Sequence, residues 1–165
     1  MKKGAAIFLA LCILSHLAFE KIPDVFYLNV TSSLPMGLYM KVPGREFQRG
    51  DYIVYEPSQS VKEIVVKNGW GDGKHDFLKK VGAVAGDKYS IDTKTLVFEA
   101  AGKYVGMVYE TDNRGNKLPK LRGEFVVPEG YVLPVATSAR SFDGRYSGAI
   151  DKSRIKARVV PILVW

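Results

Sequence analysis

Three hydroxyl side chains, Thr31, Ser32 and Ser33, stand immediately before Leu34-Pro35-Met36-Gly37-Leu38-Tyr39. Such a stretch is either a polar turn or the carrier of a nucleophile, and a serine hydroxyl attacks a carbonyl only when a base takes its proton. The two histidines are poor bases for it. His16 lies in an apolar N-terminal run, and His75 ends the polar segment Asn68-Gly69-Trp70-Gly71-Asp72-Gly73-Lys74 and reads as an exposed side chain. A Ser-His-Asp arrangement is therefore not indicated, and lysine becomes the alternative base. Lysine works only when neutral. Bringing its pKa from about 10.4 to about 7 to 8 takes roughly 3 to 5 kcal/mol of destabilisation of the ammonium form by an apolar surround. The segment Asp76-Phe77-Leu78-Lys79-Lys80-Val81-Gly82-Ala83-Val84 offers two lysines in such a setting. Strand alternation puts Phe77, Lys79 and Val81 on one face and Leu78, Lys80 and Gly82 on the other. The same pair also fits a solvated edge strand, and Ser32 fits a turn residue before proline. At this level both readings stand.

The elements that must position these groups are strands. Val25 to Val30, Gly37 to Val42, Tyr52 to Tyr55, Phe77 to Val84, Thr95 to Phe98, Tyr104 to Tyr109, Glu124 to Val127, Tyr131 to Val135 and Ile155 to Val164 are short runs rich in Val, Ile, Tyr and Phe. Gly, Pro, Asp or Asn separates them, as at Pro43-Gly44, Arg49-Gly50-Asp51 and Ala85-Gly86-Asp87. No long stretch carries the helical apolar period, so a mainly β, antiparallel sandwich or barrel-like fold is expected. Pro57 to Lys74 and Ala101 to Gly123 read as excursions from it.

Composition agrees with one globular domain. The chain has 165 residues, 47% of them hydrophobic and 25% charged, which argues against disorder and against several membrane spans. Its net charge of +7 is scattered rather than gathered into a run, so no nucleic-acid partner is expected. A single cysteine, Cys12, rules out an intrachain disulfide and a Cys-rich zinc site.

Lys2 and Lys3 precede an apolar run of about 16 residues, Gly4 to Phe19, short for a span but long enough to anchor. His16 before Ala18 fits signal cleavage poorly, and Leu11 directly before Cys12 fits a lipoprotein site poorly. The expectation is a transmembrane signal anchor over residues 1–21 and an extracytoplasmic domain over 22–165. The positive N-terminus would be left in the cytoplasm, making a single-pass protein of the cytoplasmic membrane.

Four segments together resemble the conjugal-transfer (TraF-type) branch of the type I signal peptidases. Ser33-Leu34-Pro35-Met36-Gly37-Leu38-Tyr39 is similar to its S-x-P-x-G-L-Y segment, and Arg49-Gly50-Asp51-Tyr52-Ile53-Val54 resembles its R-G-D-hydrophobic strand. Phe77 to Asp87 is similar to its F/Y-L/I-K-R-V-x-x-x-x-G-D segment, and Ser141-Phe142-Asp143-Gly144-Arg145-Tyr146-Ser147-Gly148 to its S-F-D-S-R-Y-x-G segment. The matches run in family order over most of the chain after residue 21. The resemblance implies a signal-peptidase-like antiparallel β-sheet domain with Ser33 as nucleophile and Lys79 as general base. Thr31 would join the Ser33 backbone N–H in an oxyanion hole; Ser141 would hold the lysine amine, and Asp143 and Arg145 would pair to shape the site. No cofactor and no metal are implied. The partners implied are the membrane and an exported precursor, a pilin in this branch, cut by hydrolysis or released by cyclisation.

Two departures from the pattern stand out: Gly144 replaces a serine, and Leu133 to Arg140 lacks the Gly-Asp-Asn run of housekeeping signal peptidases. Ser153-Arg154-Ile155-Lys156 matches S-x-x-K without its companion motifs and reads as surface. Asn29-Val30-Thr31 matches a glycosylation sequon. Self-cleaving repressors share a Ser-Lys pair but need a DNA-binding N-terminal domain where this chain has an apolar run. The rival of another class is a non-enzymatic, membrane-tethered β module acting as an assembly subunit.

Overall fold

The computed structural model describes residues 7–8 and 25–165. Apart from Ile7 and Phe8, the expected anchor lies outside the described residues, among which no helix is long and apolar enough to cross a membrane. Among the described residues eleven strands form two sheets in which every pairing is antiparallel. The larger contains β1 (Phe26–Asn29), β2 (Gly37–Val42), β3 (Tyr52–Tyr55), β4 (Phe77–Val84), β9 (Tyr131–Val135), β10 (Ile150–Asp151) and β11 (Ile155–Val164) in the order β1-β2-β11-β3-β4-β9-β10. The smaller has β5 (Lys88–Ile91), β6 (Val97–Ala100), β7 (Lys103–Met107) and β8 (Gly123–Val126) in the order β7-β6-β5-β8.

Strand alternation builds the core. Ala83 and Leu133 from the large sheet meet Ile91 and Phe98 from the small one, together with Val108 and Tyr146. Farther along the same large sheet Ile53, Tyr55, Val81, Val132 and Ile155 pack together, and Tyr39, Val54, Ala157 and Val159 form a third cluster. β4 therefore runs between β3 and β9, with Lys79 opposite Ile53 in register. It is not an edge, and the solvated-edge reading of its lysines does not apply.

Three expectations need correction. The first excursion contains a helix, α1 (Gln59–Lys67), capped by Ser58, whose hydroxyl accepts from the Val61 N–H. Val61 and Val65, four apart, are its buried residues; one turn-to-turn pair in a nine-residue helix rich in Val and Ile is too short a period to stand out. The strand β5 was not expected, because Lys-Tyr-Ser-Ile offers only two apolar residues. The strand expected at Thr95 to Phe98 is displaced to Val97–Ala100, since Asp92 caps a turn by accepting from the Lys94 and Thr95 N–H groups.

Candidate active site

The hydroxyl triplet lies on the loop from β1 to β2, and one buried amide organises it. Asn29, the last residue of β1, donates through Nδ2 to the carbonyls of Thr31, Leu34 and Pro35 at 3.1, 3.2 and 3.0 Å. Its Oδ1 accepts from the Thr31 N–H at 3.1 Å and from the Thr31 hydroxyl at 2.8 Å. The carbonyls fix which end of the amide donates. Thr31 has a single hydroxyl proton, so at its 3.1 Å contact with Ser33 Oγ it accepts and Ser33 donates. The loop is closed below by the Tyr39 hydroxyl, which donates to the Pro35 carbonyl at 2.7 Å. At Gly37, φ is +148° and a Cβ would sit 2.1 Å from the Leu163 carbonyl oxygen. Only glycine allows that approach of β2 to the end of β11.

The lysine arrives from β4. Lys79 is 6% exposed, and its Nζ donates to Ser141 Oγ at 3.0 Å. Burial lowers its pKa to about 8; Asp143 opposes the shift and Arg145 adds to it. Lys80 points the other way, with its ammonium 5.2 Å from the centroid of the Tyr52 ring.

Ser141 is held by the loop after β9, which leads into the short helix α2 (Gly144–Ser147). Inside that loop lies the ion pair of Asp143 and Arg145, both fully buried. Arg145 Nε and Nη2 donate to the two carboxylate oxygens at 2.8 and 3.1 Å. The same guanidinium donates to the carbonyls of Met107, Ala139, Ala136 and Ser138. Asp143 also accepts from the Ala136 and Arg145 N–H groups. Burial pushes the Asp143 carboxyl above its ordinary range, while Arg145 favours the ionised form. The loop wound on this pair reaches both halves of the site: Ser138 N–H and the Thr137 hydroxyl meet the Ser33 carbonyl at 3.4 Å, and Ser141 meets Lys79.

Ser33, Thr31, Lys79 and Ser141 line one cavity of about 730 Å³. Ser33 Oγ and Lys79 Nζ are not hydrogen-bonded to each other; each is held by its own partner, Thr31 and Ser141. The Ser33 N–H has no partner among the described residues. Ser32 borders the cavity with a hydroxyl that hydrogen-bonds to nothing described. His75 stands on the rim of the same cavity, almost fully exposed, 3.7 Å from Asp72.

The Gly144 departure has a steric reason, for a Cβ there would lie 2.5 Å from the Pro134 carbonyl oxygen and 2.7 Å from Leu133 Cδ1. Sequence reasoning missed Asn29, reading it only as half of a sequon. Its signal was parity: Tyr27 and Asn29 share the inward face of β1, where a polar side chain needs partners. It also missed that the two excursions meet over the site. Trp70 Nε1 donates to Asp112, Arg114 to the Gly69 carbonyl and Asn116 to the Asn68 carbonyl.

Replacing Asn29 with alanine leaves the Thr31 and Leu34 carbonyls and the Thr31 N–H without this partner, and the Pro35 carbonyl with the Tyr39 hydroxyl alone. The expected loss is about 1 to 3 kcal/mol of stability, read as a lower urea midpoint. An unchanged midpoint would show that the amide does not hold this loop.

The chain with this geometry belongs to the signal peptidase family. The model described as "Signal peptidase, peptidase S26" matches residues 2–165. Within that family the chain is similar to a plasmid transfer protein TraF of Escherichia coli, 29% identical over 171 residues, covering 98% of this chain and 92% of that one. A second E. coli plasmid transfer protein TraF is 29% identical over 153 residues, covering 83% and 82%. A signal peptidase I structure from Enterococcus faecalis V583 aligns with 70% of this chain and 97% of its own at 14% identity, with a TM-score of 0.40, too loose to inform the site.

Proposed function

We propose that the chain is a membrane-anchored serine endopeptidase whose Ser33–Lys79 dyad processes an exported precursor, a conjugative pilin or another transfer protein. The observation that carries this reading is the buried Lys79 amine, with a pKa lowered to about 8, opening on the same cavity as Ser33. In the proposed reaction neutral Lys79 takes the Ser33 proton as Oγ attacks the scissile carbonyl carbon. The oxyanion is met by the Ser33 N–H and by the Thr31 hydroxyl, once that hydroxyl has turned from Asn29. The Lys79 ammonium then protonates the departing amine, leaving an acyl-enzyme. Water resolves it by hydrolysis, and an amine of the same substrate resolves it by cyclisation.

The transfer context rests on the names of the relatives. Membrane attachment is supported by the Lys2-Lys3 and apolar pattern, and by exposed Phe26 and Leu28 on β1, Val30 just after it, Ile162 and Leu163 near the end of β11 and Trp165 just beyond it. A bilayer would cover such a patch, with the domain on the extracytoplasmic side.

Mass spectrometry of a co-expressed pilin precursor tests the whole reading. Wild-type protein should shorten the precursor, and Ser33→Ala should leave it intact. A product lighter by one water than the linear cleavage fragment identifies cyclisation. Equal processing by Ser33→Ala would refute the dyad, and failure on every exported precursor with an undisturbed fold would return the assembly-subunit reading.

A further inference from the structure

We propose that a second, smaller cavity beside the Ser33–Lys79 cavity is a subsite for a substrate carboxylate, held by Arg140 and Arg114 against an aromatic wall. The inference rests on the peptidase reading and names a feature of its substrate. The cavity measures about 280 Å³, room for a side chain or a chain end, and its walls include Trp70, Tyr109, Phe142 and Tyr146. It shares Trp70, Asn113, Arg140 and Phe142 with the large cavity, so one extended peptide can occupy both.

Charge decides the ligand. The Arg140 guanidinium lies 4.3 Å from the centroid of the Tyr109 ring and makes no ion pair among the described residues. Stacking on a ring fixes the plane of a guanidinium while leaving its N–H edge open, the geometry that takes a carboxylate through two hydrogen bonds. The Arg114 guanidinium donates only to the Gly69 carbonyl and has no ion-pair partner among the described residues. The sole carboxylate lining this cavity, Asp112, is already spent: Oδ1 accepts from the Arg114 and Asn116 N–H groups, and Oδ2 from Trp70 Nε1 and Asn116 Nδ2. Burial opposes its ionisation, but these hydrogen bonds outweigh that and hold it at about 2. Two cations without ion pairs thus share the cavity with one satisfied anion. Among the charged groups lining the large cavity, Lys62 is paired with Glu56 and Asp76 with Lys156, Asp72 lies beside His75 and Lys79 is the proposed base, which leaves Arg140, shared by both cavities, as the acceptor of negative charge. Arg140 directly precedes Ser141, which holds the Lys79 amine, so the bound carboxylate would set the register of the peptide beside the reacting groups.

The carboxylate is either an Asp or Glu side chain or a free chain end, and three probes separate them. Full-length Ser33→Ala protein in detergent is titrated with acetyl-Ala-Ala-Glu-Ala-Ala-amide, with its Gln counterpart, and with that Gln peptide ending in a free acid. Binding is followed on the indole N–H resonance of Trp70, one of two tryptophans, identified by its loss in Trp70→Phe. At least one acidic peptide should bind about tenfold more tightly than the neutral one. Arg140→Gln should erase the difference, and Arg140→Lys should keep part of it. Preference for the Glu peptide identifies a side-chain carboxylate, and preference for the free acid identifies a chain end. Equal affinity of all three, binding of none, or an acid preference that survives Arg140→Gln would overturn the proposal. A preserved acid preference in a protein that processes no precursor would instead remove the peptidase reading alone.

Discussion

Lys79→Arg is expected to abolish processing, by about 10⁴-fold or more, while the protein stays folded. A guanidinium does not become neutral at accessible pH and cannot take the Ser33 proton. Lys79→Met tests the same group through stability. It keeps the length of the chain and removes an ammonium from a site that disfavours it, so it should raise the urea midpoint at pH 7. Depression from 10.5 to about 8 means that the folded protein binds fewer protons than the unfolded chain between those values. Its stability therefore rises with pH across that window, and the gain from Lys79→Met should shrink there. Activity follows the neutral fraction, so the single-turnover rate should climb about tenfold from pH 7 to pH 9 and then level off. Retained processing in Lys79→Arg, or a rate that falls over this range, would exclude lysine as the base and bring His75, on the rim of the cavity, back into consideration.

Arg145→Met should cost about 3 to 5 kcal/mol, the largest stability loss expected of a single substitution here. Removing the guanidinium strands the Asp143 carboxylate in a fully buried site and frees the four carbonyls it gathers. Three of those carbonyls, of Ala136, Ser138 and Ala139, shape the loop that holds the Ser33 carbonyl on one side and the Lys79 amine on the other. Processing should therefore fall even at temperatures where the variant remains folded. Asp143→Leu combined with Arg145→Met should recover part of the stability, because no lone charge remains, but not the activity. A unchanged urea midpoint in Arg145→Met would mean that the pair does not organise the loop.

Alternation along Phe77 to Val84 was enough to separate Lys79 from Lys80, because the two-residue period of a strand is a local property. The same holds for most strands and for the turns at Pro43-Gly44 and Ala85-Gly86-Asp87. The four motif segments were likewise legible as a set, in order. Which face of β4 is buried was not. That follows from β3 and β9 flanking β4 and from the loop after β9 closing over Lys79, contacts that join residues far apart in the chain. Only the folded chain could lower the amine's pKa, since desolvation needs the surrounding residues in place. The role of Asn29 was decided in the same way, for one amide gathers three carbonyls, an N–H and a hydroxyl only when the β1–β2 loop curls around it. Arg145 shows the limit most plainly. The resemblance implied its pairing with Asp143, but its full burial depends on that partner together with carbonyls contributed by the β9 loop and by Met107, which no local pattern in the sequence brings together.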